Sequence, residues 1–376
     1  MRLRIKNVTA IPLRIPFSAP FTIAAPHEQT RDHIDVVLVQ IDTNESLSGI
    51  GETQAWRRQA SSEVLLNLVR VIEEIFKPIL VGRNPLEISG LLHELNATVY
   101  NSLYAQAAIG DALYDLAGKI FNVPVCELLG GRCRDKIQVG LPLSISSSTD
   151  AMLQKARQAY EQGYRHLRVK IGMDSAHDVA NVRRLRQEFG DKVVLRADAN
   201  GGMYYDQALP LLKKLEEFDL DIVEQPVPAW DLDSMALLAR TVSIPISADE
   251  SVSTDSSLIE IVKRRAASII QTKVGKNGGI HYTRKLWTIA DAAGIGIFPG
   301  NHPATSIATA SVAHLCAAWP SLRLVGDFQA GACDMLAADV VKSPLTIRDG
   351  YVIVPDRPGL GMELDQEKVR KFRVTE

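Results

Sequence analysis

No run of apolar residues in this chain approaches the roughly 18 that a membrane-spanning helix requires. No Lys/Arg block reaches five residues, so the electrostatic footprint of a nucleic-acid binder is missing as well. Cysteine is scarce. The four present, Cys126, Cys133, Cys316 and Cys333, form no C-x-x-C pair and no zinc-site spacing, so reduced thiols in a cytoplasmic protein are expected. The opening MRLRIKNVTAIPLRIPF alternates like a strand and lacks the layout of a signal or transit peptide. What is there is ordinary: 376 residues, 46% apolar and 23% charged, with a formal net charge of −2, enough to bury a sizeable core.

The first 125 or so residues read as α+β. Residues 2–15 and 35–43 alternate apolar and polar as half-buried strands. Residues 16–34 carry no clear period and read as a long loop, of the kind that is often functional. Helical spacing then marks 64–79, 86–95 and 104–121.

From about residue 136 short β-branched runs alternate with amphipathic stretches, starting with IQVGLPLSI at 137–145. Their polar ends fall at positions 170, 198, 224, 249, 273, 299 and 327, at intervals of 28, 26, 25, 24, 26 and 28 residues. One strand and one helix per repeat is the βα signature, and eight such strands close into a barrel. An open doubly wound sheet also alternates this way, but no Gly-rich phosphate loop follows the first strand. The last 50 residues, with PLTIRDGYVIVPDRPGLG, read as a return strand or two against the N-terminal unit. The expected division is a cap of residues 1–125 with 328–376, and a barrel of 126–327.

The active face of such a barrel lies at the C-terminal ends of its strands. Here Lys170, Asp198, Glu224, Asp249 and Lys273 end five successive strands, the second to the sixth. Strands two and six of eight oppose each other, so the three acids should converge between two lysines. Three carboxylates in one mouth stay ionised only if cations neutralise them. Oxygen-only ligands point to Mg²⁺, with Mn²⁺ as a substitute; a rim of ion pairs is the alternative. Such a metal stabilises the enediolate left when an α-proton departs from a carboxylate. A lysine is a base for that proton only if its pKa falls towards neutrality. The metal and Arg168, two residues before Lys170 on the same strand side, would push it that way.

At RVK (168–170), DAN (198–200), EQP (224–226), ADES (248–251), TKVGKNGG (272–279) and PGLG (358–361) the chain resembles the enolase superfamily, in its muconate lactonizing enzyme subgroup. VPVCELLGG (123–131), just before the barrel, adds to the likeness. The resemblance implies a (β/α)7β modified TIM barrel with an α+β capping domain. It implies Lys170 and Lys273 as the acid/base pair, and Asp198, Glu224 and Asp249 as Mg²⁺ ligands. It also implies that the 16–34 segment closes over the substrate. Two positions depart from the family pattern. Arg168 replaces the usual first lysine of K-x-K, and Asp327-Phe328-Gln329 keeps only the first acid of the D-x-D of dipeptide epimerases.

Around these, Asn200 and Asp327 are candidate supporting residues and His302 a candidate substrate contact. Glu250 and Lys276 read as structural neighbours; Trp56, Arg57, His27, Glu28 and Arg31 are possible contacts from the cap. The expected function is a Mg²⁺-dependent isomerase of a small carboxylate, either muconate cycloisomerase-like or a racemase/epimerase of an amino-acid derivative. A dehydratase of a hydroxy-acid or hydroxyproline-type substrate is the alternative, and a silent binding protein a more distant one. The expected partners are small molecules, neither nucleic acid nor membrane, and a homo-oligomer is expected from the resemblance.

Overall fold

The computed structural model describes residues 3–23, 29–55, 63–143, 148–322, 326 and 335–374. Strand β1 (Ile5–Ile23) pairs antiparallel with β2 (Gln29–Thr43), and β2 with β3 (Ser48–Gln54). The long loop expected over 16–34 is instead mostly paired strand. Pro16 faces His33 and, after a register shift, Phe21, Thr22 and Ile23 face Arg31, Thr30 and Gln29. Pro16 and Pro20 interrupt the alternation that marks a strand, and the shift between Pro16 and Phe21 accommodates them. His27 and Glu28, like Trp56, Arg57 and Asp327, lie outside the described residues.

The helices of this unit come close to their expected spans. α1 (Leu65–Arg70) runs through a π turn at Val71–Phe76 into α2 (Lys77–Leu80); α3 (Ile88–Thr98) and α4 (Leu103–Phe121) follow. The Glu63 carboxylate caps α4, accepting from Ser102 Oγ at 2.8 Å and from the Tyr104 and Ala105 amides at 3.1 Å each. Asn122, in the left-handed region at φ 55°, ends the helix.

The three-stranded sheet has two apolar faces, because successive side chains alternate. Val37, Val39 and Ile41 pack with the cap helices, while Val36, Leu38 and Ile50 join the barrel core. Each such side chain contributes about 1.5–3 kcal/mol on full burial. The sheet sits directly on α4. A Cβ on Gly49 or Gly51 would stand 2.2 Å from the carbonyl oxygen of Ala112 or Ala108, so any larger residue there forces the two apart.

After the short α5 (Val125–Leu128) come β4 (Lys136–Gln138) and β5 (Leu141–Pro142), then α6 (Thr149–Glu161) and β6 (His166–Lys170). The alternation continues through α7 (Ser175–Phe189), β7 (Val194–Asp198), α8 (Tyr205–Leu215), β8 (Ile222–Glu224), α9 (Leu232–Thr241) and β9 (Ile246–Ala248). It ends with α10 (Asp255–Arg264), β10 (Ile269–Lys273), α11 (Gly279–Ala292), β11 (Gly296–Gly300) and α12 (Ser306–Ala317). Strands β5 to β11 form one sheet in sequence order, with parallel pairing throughout. Gly326 bridges in parallel to Val139, just before β5. This is the modified TIM barrel with an N-terminal capping unit.

The run 137–145 does not form one strand. β4 pairs antiparallel with β13 (Tyr351–Ile353), the second arm of a hairpin with β12 (Ile347–Arg348), and only β5 joins the barrel sheet through β6. The return hairpin therefore pairs with β4, just ahead of the barrel sheet, rather than with the cap sheet; Val352 opposite Ile137, both buried, offers the apolar match. Other parts of the tail reach the cap. The Ser18 amide donates to Met335, Ala337 to Pro16, and Val374, just after α13 (Gln366–Phe372), to Pro12, each at 2.9 Å. Among the described residues no helix is long and apolar enough to cross a membrane.

Three buried carboxylates of the cap stitch this seam through backbone amides. Glu52 accepts from the Thr305 amide at 3.0 Å and the Ala308 amide at 3.4 Å, at the start of α12. Asp111 accepts from the Ile280 amide at 2.9 Å, at the start of α11. Asp115 accepts from Ile50 at 2.8 Å and from Leu360 in the PGLG turn at 2.7 Å. Helix N-termini offer unsatisfied N–H groups and positive potential, which is why acids lie there. Burial pushes the Glu52 and Asp111 carboxyls up to about 7 each.

Candidate active site

Strands β6, β7, β8 and β10 end on Lys170, Asp198, Glu224 and Lys273, and Asp249 follows β9 directly. Register places Lys170 beside Asp198 and Asp198 beside Glu224. Since the strand order is β6-β7-β8-β9-β10, the lysines stand at the two ends of an arc of three acids. All three acids are fully buried, and Lys170 and Lys273 nearly so.

Every carboxylate in the arc is held by cations. Lys170 Nζ donates to Asp198 Oδ2 at 2.5 Å and to Asn200 Oδ1 at 2.6 Å. Lys273 Nζ donates to Asp249 Oδ2, and Lys276 Nζ to Asp249 Oδ1 at 2.7 Å and to its main-chain oxygen. Arg168 Nη1 lies 3.4 Å from Glu224 Oε1 and 3.5 Å from Asp198 Oδ2. From beneath, inside the barrel, Arg196 Nη2 donates to Glu224 Oε2 at 2.6 Å, with its guanidinium 3.5 Å above the centre of the Phe298 ring.

The charges follow from these partners. Burial opposes ionisation of Asp249 and Asp198. The lysines on Asp249, and Lys170 with Arg168 on Asp198, outweigh it and hold both below the usual carboxylate range. Glu224 goes the other way: burial, then the charge of Asp198, pushes it up to about 8 despite both arginines. Burial works against the charge on Lys273, but Asp249, Glu224 and Glu250 prevail and raise its pKa. That is opposite to the fall towards neutrality expected of a base. Two of the carboxylates responsible, Asp249 and Glu224, are groups that were expected to bind the metal.

The acids also do not close on one point as expected. Among the described residues no three His, Cys, Asp or Glu side chains are grouped closely enough to hold an ion as they stand. Lysine and arginine groups occupy the carboxylate oxygens instead. The donor set nevertheless fits a hard divalent cation: three buried carboxylates on adjacent strands, one of them pushed towards neutrality by burial and then by Asp198.

Supporting residues lock this arc. The Asn200 amide N–H donates to Asp198 Oδ1 at 2.9 Å, and its side chain donates to Glu250 Oε1 at 3.2 Å. Asn200 therefore ties Lys170, Asp198 and Glu250 together, as its spacing from Asp198 suggests. His302 is buried and stacks on Tyr104, ring centroids 6.1 Å apart. Burial, then Lys273, holds the imidazole well below its usual pKa, so it is neutral. Arg31 on β2 adds to that effect, which brings the hairpin's charge to bear on the mouth.

Three residues escaped the sequence reading, and a fourth was read too narrowly. Lys276, expected only to brace its loop, shares Asp249 with Lys273. Gln225, at φ 38°, accepts from the Asp249 amide at 3.0 Å and the Ser251 amide at 3.1 Å, fixing the turn that carries Asp249. Asn277 accepts from the Lys273 amide at 2.8 Å and donates to Val252 and Ser253. Arg196 lies two residues before Asp198, a spacing equal to that of Arg168 and Lys170, which was the available signal.

A family model for the mandelate racemase / muconate lactonizing enzyme N-terminal domain matches residues 6–130, and an enolase C-terminal domain-like model matches 151–369. The chain belongs to the enolase superfamily. Within it, the muconate lactonizing enzyme subgroup is its place. The chloromuconate cycloisomerase of Cupriavidus pinatubonensis is 30% identical over 90% of this chain and 91% of its own. The L-Ala-D/L-Glu epimerase of Clostridium acetobutylicum is 28% identical over 96% and 98%. The muconate lactonizing enzyme of Pseudomonas fluorescens, solved with muconolactone, superimposes with a TM-score of 0.93 over all of both chains at 28% identity. Enzymes of this family depend on a metal ion.

Proposed function

We propose that this chain is an isomerase that moves a proton at the α-carbon of a small carboxylate, with Lys170 and Lys273 as its acid/base pair. Asp198, Glu224 and Asp249 are the residues that would hold a divalent cation, Mg²⁺ or in its place Mn²⁺. When bound, that cation supplies positive charge for the substrate carboxylate and for the enediolate that forms as the proton leaves. The observation that carries the reading is the placement of one lysine at each end of a buried carboxylate arc. One lysine can then remove the proton and the other deliver it. Arg168 keeps its charge near neutrality, so it tunes or positions and does not exchange protons. Buried walls around the lysines exclude water from the carbanion-like intermediate.

The named relatives include cycloisomerases and an epimerase. Both reactions run through the same two lysines, so either end of this pair of chemistries suits the site. The dehydratase alternative gains nothing from those relatives, and the complete set of five residues argues against a silent binder. A soluble cytoplasmic homo-oligomer acting on small molecules fits the family, and light scattering reads its number.

Incubation with Mg²⁺ in D₂O tests the reaction, using cis,cis-muconate, N-acyl amino acids, dipeptides, proline betaines and hydroxyprolines as the panel. Deuterium uptake at an α-carbon, abolished by EDTA and by Lys170→Ala or Lys273→Ala, is the expected result. Uptake that survives in both lysine variants would overturn it.

A further inference from the structure

Above the lysine loop, the cap buries polar groups that no protein atom satisfies. Gln54, the last residue of β3, is 1% exposed, and neither its amide oxygen nor its nitrogen has a hydrogen-bond partner. The same holds for the Thr53 hydroxyl, 0% exposed, and the Tyr104 hydroxyl at the start of α4, 2% exposed. Buried polar groups in folded proteins are almost always paired, and an orphaned amide is costly, so these unpaired atoms ask for bonding partners from outside the chain.

Their placement says where that partner would lie. Residues 50, 52 and 54 share one face of β3. Ile50 on that face joins the barrel core and Glu52 reaches the start of α12, so Gln54 also points towards the barrel. Its Oε1 lies 2.7 Å from the point where a Cβ would stand on Gly275, two residues beyond Lys273. Any side chain at 275 would displace the amide. The Thr53 hydroxyl lies 3.7 Å from the same point. Tyr104 stacks on His302, and its hydroxyl feels Glu63 and then Asp249 and Glu250; burial and these charges keep it protonated.

We infer that Gln54, assisted by Tyr104, is a specificity-determining contact for an uncharged amide-type group on the substrate. A primary amide offers one planar donor and one acceptor, and the N–H and C=O of another amide match both. None of Thr53, Gln54 and Tyr104 is a cation, so what these three groups select rests on hydrogen bonding rather than on charge. An N-acylated amino acid can satisfy both the donor and the acceptor of Gln54, and an amide-free dicarboxylate only the donor. The inference rests on the proposed isomerase site for where the substrate lies.

The test uses the full chain with Mg²⁺ and calorimetric binding of N-acetyl-L-amino acids (alanine, methionine, phenylalanine, arginine). Each is paired with its O-acetyl 2-hydroxy acid, in which an ester oxygen replaces the N–H. Wild type should bind at least one amide about tenfold or more tightly than its ester, and Gln54→Met should shrink that ratio to about twofold. Tyr104→Phe should weaken both members of the pair together. The thermal midpoint of ligand-free Gln54→Met should stay level or rise, since an apolar isostere removes an unpaired amide. Equal binding or none in wild type, a preference that survives Gln54→Met, or a fall in that midpoint would overturn the inference. Deuterium exchange on these compounds and on cis,cis-muconate separates the two readings. Exchange on cis,cis-muconate without amide preference upholds the lysine site and overturns the role of Gln54. Amide preference without any exchange upholds Gln54 and overturns the isomerase.

Discussion

The barrel mouth and the cap–barrel seam both bury carboxylates, but they give them opposite partners. At the mouth, Asp198 and Asp249 sit against Lys170, Lys273 and Lys276, and their ionisation is favoured, while burial and Asp198 lift Glu224 between them to about 8. At the seam, Glu52 and Asp111 meet backbone amides at the starts of α12 and α11, and burial lifts both to about 7. Formal charges at the mouth are exchangeable: a cation arriving there would compete with lysines for the same oxygens. Glu52 and Asp111 instead hold two folded units together through neutral donors, while Asp115 adds an ion pair with Lys119. Both are buried acids, but only the mouth is built around ions that can trade places.

The largest effect should come from the lysines themselves. Lys273→Ala or Lys170→Ala should lower the rate of α-proton exchange by about 10²–10⁴-fold, as removal of a general acid or base does. Lys170→Arg should not rescue it, because a guanidinium stays protonated; D₂O exchange followed by mass spectrometry reads all three.

Next, Asp249→Asn should strip two buried lysines of their shared partner. Breaking a buried pair on one side costs about 3–5 kcal/mol, so metal-free denaturant unfolding should show a loss of that order. Asp111→Asn sharpens the contrast by moving in the opposite direction. The Asp111 carboxyl is raised from its ordinary value to about 7 in the folded state, so the folded chain binds a proton that the unfolded chain releases. Its contribution is fully present below the unfolded pKa and is lost as pH rises through about 7. Asparagine keeps an acceptor for the Ile280 amide without the charge. The variant should therefore gain stability over wild type progressively from pH ~4, reaching about 4 kcal/mol near pH 8. Unfolding midpoints across that range check it. Arg168→Lys should be the mildest change, altering exchange by about tenfold at most, since a cation remains beside Asp198 and Glu224.

The mouth was far more legible in the sequence than the seam. A parallel barrel repeats, so one period of about 25 residues brings Lys170, Asp198, Glu224, Asp249 and Lys273 to one face with no knowledge of long-range pairing. The seam has no period. Glu52 meets α12 across 253 residues, and Asp111 meets α11 across 169. Nothing local in GIGE or in the α4 pattern names those partners. The same limit explains the hairpin of β1 and β2, hidden by Pro16 and Pro20, and the choice of β13 for the edge of β4. It also explains Lys276 and Gln54. Their spacing suits a loop and a strand end, and only the docked cap and barrel show what each faces.

A calorimetric Mg²⁺ titration of wild type, Asp249→Asn and Glu224→Gln tests the central claim most directly. Saturable binding of one ion per chain, lost in each variant, is the predicted result. No binding by wild type, or binding unchanged in both variants, would contradict the assignment of the mouth as a metal-assisted proton-transfer site.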